Sequence, residues 1–146
     1  MTPDATKIAE AVRARDQARA FFLAAQRCNE FRPLPPGDLQ FLQVPTLVCY
    51  AFSVEVGLKA LALFEGGEAA RGHDLKDLFG ALSPGRQERI VRNTGHPTFF
   101  DSDLDVVRDA FDVWRYIHEK GHGVNTNLGF LQRLAAAVQR VLWEFH

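Results

Sequence analysis

Apolar positions recur at three- and four-residue steps through most of the chain, and short stretches rich in proline and glycine separate the runs. Thr2 before Pro3 pairs an N-cap residue with proline at the first helical position, which predicts a long opening helix. Along it Ala11, Ala14, Ala18, Phe21, Ala25 and Cys28 fall on one face, a seam narrow enough for close helix packing. Pro33-Leu34-Pro35-Pro36-Gly37 predicts a loop, and a second long helix runs from near Val44-Pro45 to Gly66-Gly67. Asp74 reads as the N-cap of a short third helix, with Leu75, Leu78, Phe79 and Leu82 on its apolar side. Ser83-Pro84 starts a fourth, which Gly95 and Pro97 close. A fifth begins at Ser102 or Asp103 and carries Leu104, Val107, Ala110, Phe111, Trp114 and Ile117, ending at Gly121 and Gly123. After Asn125-Thr126-Asn127 a sixth places Leu131, Leu134, Ala135, Val138, Leu142 and Phe145 on one face. No segment alternates with a period of two. The expectation is an all-α, up-and-down helical bundle of four long helices plus two short ones, in a single domain spanning 1–146.

The second helix is apolar on nearly every side, which marks a buried helix. It nevertheless carries Ser53, Glu55 and Lys59. Buried charges are rare unless paired, and Glu55 stands four residues before Lys59, the favourable order for meeting on one helical face. The same two charges argue against a membrane span, because each would cost about 2.5–3.5 kcal/mol near the middle of a bilayer. Arg115 is a second candidate partner for Glu55.

A length of 146 residues, 47% hydrophobic, suits one domain with a sizeable core. A net charge of −1 gives no overall basic field for gripping long duplexes, although a local basic groove is compatible with it. Cys28 and Cys49 both fall within predicted helices and read as small buried hydrophobes rather than a disulfide. The N-terminus shows no signal-peptide pattern, so a cytoplasmic location is expected.

Ser53-x-Glu55-x-x-Leu58-Lys59-Ala60-Leu61 on one helix, then Gly72-His73-Asp74-Leu75 opening the next, then Arg115-Tyr116 on a later one, resembles the HEPN domain family (higher eukaryotes and prokaryotes nucleotide-binding). The likeness spans about 44–118. It implies a bundle of four or five main helices, usually a homodimer. It also implies binding of RNA, nucleotide or a partner protein, in toxin–antitoxin, defence or nucleotidyltransferase-associated systems. Some members are metal-independent ribonucleases carrying Arg, four to six residues, then His. Arg115 and His122, six residues apart, fit the outer limit of that pattern, and no metal or cofactor is implied. The Asn after the Arg and the Tyr two after the His that toxins commonly carry are replaced by Tyr116 and Val124.

Each of these positions has a plainer reading beside the chemical one. On one uninterrupted helix, Arg115 and His122 would project from the same side, His as base for a 2′-hydroxyl and Arg against the charge growing on phosphate. Equally, Arg108, Asp112, Arg115, Glu119 and His122 form one polar stripe, as a solvated ion ladder would. His118-Glu119-Lys120-Gly121-His122 matches the H-E-x-x-H zinc pattern with Glu144 downstream, but Lys120 and Gly121 are poor company for a zinc helix. Glu55 and Lys59 read first as a buried structural pair, and His73-Asp74 first as a turn and cap. Trp114 and Trp143 read as core or dimer contacts. The leading expectation is a binding domain with a polar cluster of Ser53, Glu55, Lys59, His73, Asp74, Tyr116 and His118. A metal-independent endoribonuclease using Arg115 and His122 is the alternative, and a zinc hydrolase is the third reading.

Overall fold

The computed structural model describes residues 4–68, 71–119 and 126–144. Helices α1 (Ala5–Cys28) and α2 (Gln43–Phe64) are the longest elements, and they pack along each other. The alanine seam explains how closely. Ala11, Ala18 and Ala25, two turns apart in succession, are completely buried, and Ser53 on α2 donates its hydroxyl to the Ala18 carbonyl at 2.7 Å. That bond satisfies the buried serine and pins the register of the pair. Opposite the seam lies Gly57, where an added Cβ would stand 2.6 Å from Val138 Cγ1 and 3.8 Å from Ala18 Cβ. Glycine there lets α7 (Leu128–Leu142) close on both long helices. Residues from Thr46 to Leu63 of α2 are buried on most sides, with 72% of its most apolar window inside the fold. Among the described residues it is the one helix long and apolar enough to cross a membrane, and this packing accounts for its composition.

Three shorter helices add to the core: α3 (Leu75–Gly80), α4 (Pro84–Asn93) and α5 (Phe100–Val107). Their starts follow the capping chemistry. Asp74 accepts from Lys76 N and Asp77 N at 3.0 and 3.1 Å, and Ser83 accepts from Arg86 N at 3.3 Å with Pro84 at the first position. Asn127 caps α7 by accepting from Phe130 N at 2.9 Å. Glu65, just past α2, receives the Ser83 hydroxyl and Arg86 Nε, and so ties α4 to the end of α2.

The architecture is mostly helical, as the periodicity predicts, and differs from the expected outline in three places. The first is the start of α1. Asp4 is its N-cap, accepting from Lys7 N at 2.8 Å, whereas the expected Thr2 and Pro3 lie outside the described residues. The second is the proline-rich loop. It is the turn of a small hairpin, β1 (Arg32–Leu34) antiparallel to β2 (Asp38–Gln40) with Arg32 opposite Gln40. Both strands are wholly exposed, so neither face selects apolar residues and no alternation marks them.

The third difference is the fifth helix, expected to run unbroken past Ile117. The chain instead forms α5, then α6 (Ala110–Arg115), then a single 3₁₀ turn over Ile117–Glu119. The break has a tertiary cause. In a continuous helix the Arg108 carbonyl would accept from Asp112 N; here it accepts from Leu75 N, the first residue of α3, at 2.7 Å. The expected ion ladder therefore has no continuous helix to run along. Cys28 and Cys49 are free thiols, each partly buried. Burial, with Cys28 nearby, pushes the Cys49 thiol up.

Candidate functional site

Two of the polar residues singled out in the sequence, Lys59 of α2 and His73 before α3, converge on the buried carboxylate of Glu55. Glu55 is 2% exposed, although the apolar residues around it leave little to solvate a charge. Lys59 Nζ donates to its Oε2 at 3.3 Å, and the Nδ1–H of His73 donates to its Oε1 at 2.9 Å. Both carboxylate oxygens are thus engaged, one from the same helix and one from the turn leading into α3. Lys59 keeps a quarter of its side chain in solvent and His73 nearly half. Glu55 therefore acts as a buried anchor for two groups that reach the surface. Arg115, the other expected partner, is not in this cluster.

Asp74 lies one residue on from His73 and performs two tasks at once. One oxygen caps α3; the other accepts from Arg108 Nε at 2.8 Å. Burial pushes the Asp74 carboxyl up, but the Arg108 guanidinium and the N–H groups of Asp77 and Lys76 outweigh it and hold the group below the usual carboxylate range. Asp77 and Asp105 also lie within reach of Arg108, and Asp74 with them raises the guanidinium further. With the Leu75–Arg108 backbone bond, this makes a clasp between α3 and the α5–α6 break. The sequence stripe includes Arg108, but nothing in its spacing reveals the partner 34 residues earlier.

Arg115, Tyr116 and His118 form a separate, outward-facing group at the end of α6. The Arg115 guanidinium donates to Asp112 at 3.1 Å and lies 4.6 Å from the Phe111 ring centroid and 4.5 Å from that of Tyr116. Tyr116 is 44% exposed and the His118 ring lies 6.5 Å from its own. The edge is therefore a cation laid between aromatic faces, open to solvent. His122 lies outside the described residues, and so does any geometry linking it to Arg115. α6 ends at Arg115, so the two do not share the single unbroken helix that would align them by spacing alone.

His118 and Glu119 stand in the 3₁₀ turn, both mostly exposed, rather than one turn apart on an α-helix. Glu144, the conceivable third zinc ligand, is ion-paired with Arg89. Among the described residues no three His, Cys, Asp or Glu side chains come together as metal ligands. Trp114 and Trp143 both pack against the core, and Trp143 also lies beneath arginines of α1 at the edge of an open cleft, a surface that spacing does not reveal. Comparison with protein-family models, curated proteins and solved structures gives no match to this chain.

Proposed function

We propose that this chain is a HEPN-like helical domain that binds RNA through the exposed edge formed by Arg115, Tyr116 and His118. One observation carries the reading: Arg115 lies partly open to solvent between two aromatic rings and, among the described residues, is ion-paired with Asp112 alone, a contact that phosphate can replace. Aromatic and guanidinium planes accept unstacked bases, and the cation supplies the phosphate contact. The buried polar cluster takes a different part. Ser53, Glu55, Lys59, His73 and Asp74 have intramolecular partners that join α1, α2, α3 and α5, so they support the fold beneath the binding edge. The resemblance further suggests a cytoplasmic homodimer working beside an antitoxin or a nucleotidyltransferase.

Fluorescence anisotropy of labelled single-stranded RNA titrated with the protein tests the reading. Binding should weaken as salt rises, and Arg115→Ala should weaken it several-fold while leaving the circular dichroism spectrum unchanged. Equal affinity in parent and variant would refute it. The same samples separate binding from catalysis. Cleavage that resists a strong chelator and disappears in His122→Ala would establish the endoribonuclease alternative; intact RNA in both is the expected outcome.

A further inference from the structure

The β1–β2 hairpin carries an apolar face that the fold leaves bare. Its pairing, Arg32 with Gln40, Pro33 with Leu39 and Leu34 with Asp38, sends alternate residues to opposite faces. Phe31 and Phe41 continue the ladder as a stacked pair, with ring centroids 4.6 Å apart. Phe31, Pro33, Leu39 and Phe41 therefore share one face. On the other, Glu30, Arg32, Gln40 and Leu42 close with Arg27 and Cys28 around a hollow of about 230 Å³ at the end of α1. The more polar face thus lies toward α1 and the apolar one away from it. Phe31 and Leu39 are 65% and 67% exposed, more than any other large apolar side chain among the described residues except Phe99. Both strands lie outside the core, so packing within the chain does not account for this face.

The two edges of the hairpin are not equivalent. Bonded and non-bonded pairs alternate along an antiparallel ladder. Neither Pro33 nor Pro35 has an N–H to give, so the ladder bonds fall in the pairs Arg32–Gln40 and Leu34–Asp38. The main-chain groups of Pro33 and Leu39 then point outward, away from each other. On the β1 edge that leaves a carbonyl without a donor beside it, and proline blunts an edge in this way. On the β2 edge Leu39 presents both N–H and C=O, and Phe41 does so two residues on. Among the described residues neither makes a backbone bond outside the hairpin. Asp38, exposed at the start of β2, forms no ion pair among the described residues, and the nearby Arg32 pairs with Glu30.

We propose that β2 receives an extended segment of a partner protein as a third, antiparallel strand with the pattern apolar–polar–apolar–basic. The first and third residues bond to Phe41 and Leu39 and widen the apolar face, and the basic residue stands opposite Asp38. Four side chains, with Phe41 already partly covered, fall short of the roughly 800 Å² per partner of a standard interface between globular proteins. A strand needs less, because main-chain bonds add affinity that a small face alone does not have. Three strands are also a firmer unit than a lone hairpin, which is marginal in water. The inference rests on neither the family resemblance, which begins at about residue 44, nor the Arg115 edge.

Titration of the full, isotope-labelled chain with capped peptides tests it, each peptide carrying the core Φ-Thr-Φ-Lys, where Φ is Val, Ile, Leu or Phe. At least one should saturate at one equivalent per chain, with the Leu39 and Phe41 amide signals moving furthest. N-methylation of that peptide at the residue facing Leu39 should weaken it about tenfold or more, because the methyl removes a donor and blocks the edge. Asp38→Lys should weaken it about two- to fivefold and favour the same core ending in Glu. Leu39→Pro should abolish binding while keeping the ladder to β1, since the N–H it removes faces outward. The proposal is overturned if no peptide saturates, if N-methylated or scrambled cores bind equally well, or if Asp38→Lys holds the Lys core as tightly as the parent. It is overturned as well if phosphatidylserine vesicles bind the hairpin in place of the peptides, or if light scattering shows a dimer that Leu39→Pro dissociates. Those outcomes would make a membrane or a second copy of the chain the occupant.

Discussion

The Glu55 cluster makes a directional prediction: removing Lys59, the partly exposed cation, should cost more than neutralising the buried carboxylate. In Lys59→Met the carboxylate stays 2% exposed and keeps only the His73 bond. Breaking a buried pair from one side typically costs about 3–5 kcal/mol. The remaining charge-assisted bond offsets part of that, and the quarter exposure of Lys59 means that solvent already screens part of the pair, so about 3 kcal/mol is expected. In Glu55→Gln the shape is retained and no carboxylate is left buried. Lys59 and His73 can turn to water through the surface they already expose, so about 1–2 kcal/mol is expected. Combining the two substitutions should cost less than their sum, because the stranded charge is gone. Urea unfolding followed by circular dichroism gives all three values, provided the slope with denaturant is unchanged. At about 2–4 °C per kcal/mol for a domain of this size, the Lys59→Met melting point should fall by about 6–12 °C. Glu55→Gln proving at least as destabilising as Lys59→Met, or strict additivity in the double variant, would refute the reasoning.

Two further outcomes follow from packing and from the α3 cap. Gly57→Ala should destabilise by about 1–3 kcal/mol despite alanine's better helix propensity. The new Cβ would meet the stiff, buried Val138 side chain at 2.6 Å, and a melting point equal to or above the parent's would contradict this. Asp74→Asn keeps a capping side chain but loses the charge paired with Arg108, so it should be less stable than the parent near neutral pH. The Asp74 carboxyl is held below its unfolded value of about 3.9, so its contribution is full above that pH and fades as acid titrates the folded form. The gap between parent and variant should therefore close in acid, and a gap that widens as pH falls would be the wrong sign.

The helices were legible in the sequence because their causes are local. Apolar periodicity, the Asp74 and Ser83 caps, and proline at the head of α4 act within a turn or two, as does the alanine seam of α1. The buried character of α2 was legible for the same reason: fourteen of its residues are buried, and a helix apolar all round has no solvent face to reveal. Spacing alone also brought Lys59 to Glu55, since four residues make one turn.

What tertiary structure decided is where partners come from far along the chain. His73 took the second oxygen of Glu55, eighteen residues away, while Arg115 went to its own neighbours. The Leu75 N–H captured the Arg108 carbonyl and divided a helix that periodicity alone would continue. Trp143, just past α7, looks like one more residue of an apolar face until α1 brings Arg15 and Arg19 over it. Local propensity fixes which backbone groups bond within an element. The assignment of a free carbonyl, a second carboxylate oxygen or an aromatic face depends on which helices pack together, a property of the whole chain that no window of sequence contains.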